Sequence, residues 1–444
     1  MNITPNLHQP TKPQKCQEVI FSDLSLKSSR GRDVVIINPY SKGSGDEALA
    51  KKIANIALDE GCRVTISPLD ALSENSSSNN HNQKYQSYSI QDESPHNISN
   101  LTNPLFIIAP VSIASITDIE QHLINMCEKF NFPRKDAIII EEMDLLTGKD
   151  RALENYDAML KKIGFANVSV NRLGFGDGAI GYIPTDEKTI NDIKGRFEGE
   201  LIRLLDSYNA SLSSDNSYHL GYISSDCIIS GTQVFIGNTL CETMADERDA
   251  TFIMSLREFN PSRTPVLIEG LTYILTSKDN IDYPSLFSKA AITVINPDSG
   301  NVEKSMEIRG EGTKRINIIL TEKLPKNIYE DFLLLADTGM TSGDQSLGEY
   351  LTLKGTLPYY DMQPWKYPMM KEIKKSGGPE LSDYLDKKFI GRMPFSGERI
   401  YSLITNNIPL TPEQLMKKIE LDKKISSNIA SPHIRALIKS SKGQ

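Results

Sequence analysis

A tetrapeptide with the makings of an anion site occurs twice in this chain. Ser44-Gly45-Asp46-Glu47 opens one helical pattern and Ser342-Gly343-Asp344-Gln345 opens another, each after a strand-to-helix turn. A turn of small residues ahead of a helix offers free backbone N–H groups and the positive end of the helix dipole, a ready seat for a diphosphate. In the second copy Gly343 lets the backbone approach the ligand and Ser346 can donate its hydroxyl to a phosphate oxygen. Glu349, one turn along, can accept from a ribose or sugar hydroxyl. In the first copy Asp46 is a carboxylate able to take a proton from an attacking acceptor. The same letters, S-x-x-E and S-x-x-Q, also spell capping boxes, and an acid in the first turn suits the dipole without any ligand. No Walker lysine follows Gly343, and Gly43-Ser44-Gly45-Asp46 is too short for G-x-G-x-x-G. Both facts argue against an NTPase loop and a dinucleotide site.

With 444 residues the chain can form two large units, and 39% apolar with 24% charged residues can bury a sizeable core. Basic residues number 49 against 57 acids, a net −8, which argues against a nucleic-acid partner. No apolar run reaches the roughly 18–20 residues of a membrane span. The N-terminal MNITPNLHQPTKPQK has no apolar stretch to act as a secretory signal. Cys16, Cys62, Cys127, Cys227 and Cys241 are far apart with no CxxC, which fits a reducing compartment. No D-x-D occurs and no His or Cys pair has ligand spacing, so the expectation is metal-free chemistry without a cofactor. These features fit a cytoplasmic protein. The polar N-terminal arm and a Ser/Asn-rich insertion would also suit a bacterial protein exported unfolded into a host cell.

The elements that must position the two turns alternate. Residues 1–30 read as a flexible arm. Asp33–Asn38 reads as a buried parallel strand, Asp46 to about Glu60 as a helix with Leu49, Ile53, Ile56 and Ala57 on one face, and Cys62–Ile66 as a second strand. Residues 73–100, fourteen of twenty-eight being Ser or Asn, are too polar to fold and read as a flexible insertion. Strands at Leu105–Val111, Ala137–Ile140 and Val168–Leu173 alternate with helices at 115–130, 150–163 and 186–207. The boundary falls at 211–217. A second series begins at the strand His219–Ser224, with 230–258 mostly helical and strands at Val266–Ile268, Ala291–Ile295 and Ile316–Ile319, helices lying between them. Then come a helix at Asn327–Ala336, a turn at Asp337–Gly343, a helix from Asp344 to about Thr352 and the strand Leu357–Tyr360. After 363 the chain reads as helical. The fold class is α/β, with two Rossmann-like doubly wound domains, 31–210 and 218–410, facing across a cleft at the carboxyl ends of their strands. The tail 411–444, with seven basic and three acidic residues, reads as helices crossing back onto domain one. Thr411-Pro412-Glu413-Gln414 opens it as a capping box.

N-P-Y-S-K-G-S-G-D at 38–46 and G-D-Q-S-L at 343–347, with a following strand ending in Tyr359-Tyr360, resemble bacterial GT-B-fold glycosyltransferases. Among these the motifs are similar to the protein-arginine rhamnosyltransferase family, which has an N-Y-G-D type first loop and G-E-D-S-F in its second domain. His219–Ser224 and Leu324–Asp337 resemble the approach to that family's nucleotide site. Here the first loop is longer, Asp344 stands where the family has Glu, and Tyr359-Tyr360-Asp361-Met362-Gln363-Pro364-Trp365-Lys366 replaces its W-x-x-Y region. The resemblance implies a hexosyl- or deoxyhexosyltransferase with a nucleotide-diphosphate sugar as co-substrate and a polar acceptor such as a protein side chain. It implies donor contacts from Gly343, Gln345, Ser346, Leu347, Glu349, Ser224 and Tyr359. Asp46 and Asp344 would be the catalytic carboxylates, with Asn38, Gly45 and Arg172 on the acceptor side. Plainer roles remain open: Asn38 as a strand end, Arg172 in an ion pair, Trp365 in packing. Two other readings share the scaffold, a non-catalytic partner-binding protein and a sugar-nucleotide epimerase.

Overall fold

The computed structural model describes residues 31–40, 45–70, 88–89, 98, 101–111, 116–143, 151–207, 212–223, 228–257, 261–278, 281–296, 301–362, 366–391, 404 and 410–440. The arm 1–30 and most of 73–100 lie outside these. Domain one runs β1 (Asp33–Tyr40), α1 (Gly45–Asp59), β2 (Arg63–Asp70), β3 (Tyr88–Ser89), β4 (Leu105–Val111), α2 (Ile116–Phe130), β5 (Asp136–Glu141), α3 (Arg151–Lys162) and β6 (Asn167–Arg172). Its sheet is ordered β3-β2-β1-β4-β5-β6. All neighbours are parallel except β3, two residues of the Ser/Asn-rich insertion that pair antiparallel with β2. β1 and β4 are apolar runs because helices cover both faces of a parallel sheet. Val35, Ile37, Phe106 and Ile108 point to one core, Ile36, Leu105 and Ile107 to the other.

Domain two runs β7 (Asn216–Ile223), α5 (Ile228–Glu242), β8 (Asp249–Leu256), α6 (Thr264–Thr276), β9 (Phe287–Ile295), β10 (Val302–Arg309), β11 (Lys314–Glu322), α7 (Lys326–Leu335), β12 (Thr338–Ser342), α8 (Asp344–Lys354) and β13 (Tyr359–Met362). α9 (Tyr367–Gly377), α10 (Ser382–Lys388) and β14 (Phe389–Gly391) complete it. The eight strands are ordered β10-β9-β11-β8-β7-β12-β13-β14, parallel apart from β10.

Five readings of the sequence are corrected here. Val266–Ile268 lies inside α6, not in a strand. The buried set Leu267, Ile268, Leu271, Ile274 and Leu275 follows the helical period, which three apolar residues alone cannot reveal. The stretch 230–258 is helical only to Glu242, then supplies the buried strand β8. Between β9 and β11 stands an antiparallel edge strand, β10, whose charged VEKSMEIR sequence hides it from a search for apolar runs. Residues 338–342 form β12 rather than a turn, and β14 interrupts the helical region after 363.

Near the end of the helix α4 (Glu187–Ser207), Leu205 packs with Tyr329, Phe332 and Leu333 in a core of domain two. The tail, α11 (Pro412–Ser426) and α12 (Ser431–Ser440), crosses back as expected. Thr411 makes both bonds of the capping box, Ile434 and Ile438 join Leu49 and Ile53 of α1, and Arg435 and Lys439 pair with Asp59 and Glu60. One apolar cluster therefore runs from Ile36 through Tyr182 to Leu347, Tyr360, Met369 and Ile425, binding both sheets and the tail. The two doubly wound domains with a returning helical tail form a GT-B-like layout.

Candidate active site

The carboxyl ends of β1, β5 and β6 meet those of β12 and β13, because in parallel sheets every strand ends on the same edge. Asn38, at the end of β1, is 2% exposed and donates to the Asp46 carbonyl at 3.1 Å and to the Ala109 carbonyl at 2.9 Å. It thereby pins the first turn of α1 to the sheet. Across the seam, a Cβ placed on Gly45 would stand 3.6 Å from Gln345 Cγ. The two recurrent turns thus face one another across the seam.

The second turn is no capping box. Its N-cap is Gly343, without a side chain to cap the helix, at φ 90° and ψ 163°. That backbone region strains any residue with a Cβ. Ser342 Oγ instead donates to Asp361 Oδ2 at 3.0 Å. A Cβ added to Gly343 would meet nothing within 4 Å, so the helix N-terminus borders open space.

Asp344 turns away from that space toward domain one. Its Oδ2 accepts from the Met143 amide at 2.9 Å, its Oδ1 lies 2.6 Å from Lys366 Nζ, and Tyr360 donates to Oδ1 at 3.4 Å. Glu142 and Asp46 are the neighbouring acids that act on it. Burial, then the neighbouring Glu142, pushes the Asp344 carboxyl well above the carboxylate range, against the pull of the Met143 amide and Tyr360. Burial also raises Glu142, offset by Lys366 and reinforced by Asp46. Lys366 is brought down to about 8 by burial, with Glu142, Glu141 and Asp46 holding it up. Three carboxyls around one amine leave excess negative charge, and a retained proton is the cheapest relief.

Arg172 makes the expected ion pair, its Nε 3.3 Å from Glu141 Oε2. It also lines a cavity of about 140 Å³ with Met143, Phe175 and Met369, between the glycine turn after β6 and α9. Glu349 is buried, 4.0 Å from Lys326, and its carboxyl is raised first by burial and lowered by Lys52 and Lys326. Lys52 belongs to α1, so this second charged group also spans the domains.

Three expected donor contacts are placed elsewhere. Tyr359 is wholly buried on the opposite face of β13, donating to Glu242 at 2.7 Å beneath the Lys388 amine, 3.7 Å from its ring. Successive strand residues alternate faces, so it is Tyr360 that reaches the seam. Leu347 is 1% exposed in the core, and its amide closes the turn onto the Gly343 carbonyl. Ser346 Oγ lies 2.7 Å from the Ser342 carbonyl and 3.0 Å from that of Gly343, so its proton is held within the turn. Gln345 is half-buried at the contact with Gly45. Ser224 and Trp365 lie outside the described residues. The sequence reading missed Glu142, Tyr360 and Lys366. Glu141-Glu142 directly after the apolar run Ala137–Ile140 was the available signal, a pair of acids at the carboxyl end of a parallel strand. Among the described residues no group of three His, Cys, Asp or Glu side chains is arranged to hold a metal ion, and no helix is long and apolar enough to cross a membrane.

No family model and no curated protein matches the chain. Solved structures do. A trehalose 6-phosphate synthase from Burkholderia multivorans aligns at TM-score 0.43 and 8% identity over 93% of this chain and 99% of its own. A UDP-forming trehalose-phosphate synthase from Burkholderia xenovorans, in complex with glucose-6-phosphate, aligns at 0.40 and 9% over 93% and 100%. A structure described as trehalose-6-phosphate from E. coli bound with UDP-2-fluoro glucose aligns at 0.41 and 8% over 92% and 98%. Likeness at this level says nothing of the reaction, which rests on the seam itself.

Proposed function

We propose that the protein is a glycosyltransferase that moves a sugar from a nucleotide-diphosphate donor to a polar acceptor. The observation that supports this reading is the meeting of two glycine turns at the seam, one bordering open space at a helix N-terminus and the other opening the helix that carries Asp46. In the reaction the bond between the anomeric carbon and the diphosphate oxygen breaks, and its electron pair leaves with the diphosphate. The first-turn amides of α8 and its dipole oppose the growing charge. Asp46 takes the acceptor's proton as the new bond to the anomeric carbon forms. Glu349, with Lys52 and Lys326, stands one helical turn further on, where the donor's hydroxyl-bearing part would lie. The narrower likeness to protein-arginine rhamnosyltransferases rests on the two short motifs, and the acceptor is left as a polar group.

A thermal-shift panel of UDP, GDP and dTDP sugars tests the reading. One donor should raise the melting point, by linkage, when present well above its Kd. Asp46→Ala should then abolish turnover while keeping donor affinity. Full turnover in that variant removes Asp46 from the chemistry. No shift and no released nucleotide with any donor would favour the non-catalytic partner-binding protein instead.

A further inference from the structure

The cavity of about 140 Å³ between the glycine turn after β6 and α9 has Arg172, Asp177 and Glu372 in its lining together with Met143, Phe175 and Met369. We infer that it is the acceptor subsite and that its acceptor is one neutral sugar ring, attacking through a hydroxyl. This deepens the glycosyltransferase reading and rests on it for the transfer step.

The walls are held from behind. Arg172 ends β6 with its Nε 3.3 Å from Glu141 Oε2, and its carbonyl accepts from the Ile180 amide at 2.9 Å. The Gly174 amide donates to the Gly181 carbonyl at 2.9 Å and closes the turn. The Phe175 ring is backed by Tyr182, with centroids 6.3 Å apart. Gly176, at φ 103°, lies so near α9 that a Cβ there would stand 2.4 Å from Glu372 Cγ. Only glycine lets turn and helix approach this closely. A pocket fixed in this way loses little freedom when a ligand enters.

The lining selects the ligand. Its charges are already engaged with one another: Arg172 with Glu141, and Lys375 with Asp177 at 3.1 Å and Glu372 at 3.8 Å. An ionic ligand gains little there. Arginine only donates hydrogen bonds and a carboxylate only accepts them, whereas a hydroxyl does both and can bridge Arg172 to Glu372. A pyranose carries such hydroxyls on a small frame whose C–H faces suit Phe175, Met143 and Met369. Met143 also ties the cavity to the seam, because its amide donates to Asp344 at 2.9 Å and Asp344 opens α8. In the transfer the sugar hydroxyl bonds to the anomeric carbon, its proton goes to Asp46, and the diphosphate leaves with the electron pair of the broken bond.

The test titrates the full chain by calorimetry with methyl glycosides of glucose, galactose, mannose and N-acetylglucosamine, and with N-acetyl-arginine methylamide. One glycoside should bind, and it should speed nucleotide release from the donor found in the thermal-shift panel. Glu372, whose side chain is 31% exposed, can be cut back without opening the core. Glu372→Ala should weaken that glycoside about tenfold and raise its KM to match. Ala179→Leu narrows the cavity from another wall and should remove the binding in a folded protein. Binding of no glycoside, or of the arginine compound alone, overturns the inference, as does a glycoside whose affinity both variants leave intact. Donor turnover alongside such a failure keeps the glycosyltransferase and discards the sugar subsite. A glycoside lost in both variants but never glycosylated by any donor keeps the subsite and discards the transfer.

Discussion

Lys366 and Asp344 form a buried amine–carboxyl pair, 2.6 Å apart with side chains 4% and 5% exposed, where the strand ends of the two domains meet. A buried pair gains little over well-packed apolar groups, but removing one member strands the other. Lys366→Met should destabilise the protein by about 3–5 kcal/mol in denaturant unfolding. The double variant Lys366→Met/Asp344→Leu should recover much of this. Equal losses in both would mean the pair is worth more than its desolvation.

Parity along β13 separates a structural tyrosine from a seam tyrosine. Tyr359→Phe unties Glu242 on the far side of the sheet and should reduce stability without changing the pH dependence of turnover. Tyr360→Phe removes a donor from Asp344 and should alter turnover more than stability. The reverse pattern in kcat and melting point would place the site on the wrong face.

His219 is wholly buried between Ser217 and Thr338, and burial brings its imidazole from 6.5 down to about 3. A histidine depressed in the folded state is neutral there and charged in the unfolded chain. Its stabilisation is complete above pH 6.5 and is lost as pH falls toward 3. Each pH unit inside that window costs about 1.4 kcal/mol from this group. His219→Asn should flatten the acid side of the melting-point profile by one proton, and an unchanged slope would show that the imidazole titrates normally.

The tail is fastened at a glycine. Gly181 has φ 97°, and a Cβ there would lie 2.2 Å from the Asn428 carbonyl oxygen, next to the paired bonds Tyr182 N–Asn428 O and Ala430 N–Tyr182 O. Gly181→Ala should loosen α12 from α1, seen as faster amide exchange in 431–440. Wild-type protection there would show that the turn can shift to admit a methyl.

How far the sequence carried the fold follows from what each element is made of. β1, β4 and β5 are apolar runs in a two-faced sheet and were readable as such. β10 was hidden because an edge strand is charged by necessity, and α6 because its apolar stripe matches a strand over three residues. The two glycine turns and Asp46 were legible from local spelling. Glu142 and Lys366 were not, since their importance comes from neighbours that only the fold gathers from separate elements, Asp46, Asp344 and each other. Tyr359 was preferred to Tyr360 because composition identifies an aromatic strand end without fixing which face each ring takes.

Gly343 joins the fold and the proposed chemistry at one position, and a single methyl can pull them apart. At φ 90° and ψ 163° a side chain costs about 1–3 kcal/mol in backbone strain, yet a Cβ would meet no atom within 4 Å. Gly343→Ala should therefore fold, with a modest drop in melting point. The open space beside the α8 N-terminus is where the departing diphosphate is proposed to sit, so the methyl should weaken donor binding far more than stability. A calorimetric titration with the donor found in the thermal-shift panel measures this directly. If the variant binds that donor as tightly as the wild type, the space at Gly343 is not the diphosphate seat, because no ligand can approach a backbone within hydrogen-bonding distance and ignore a methyl placed in the gap.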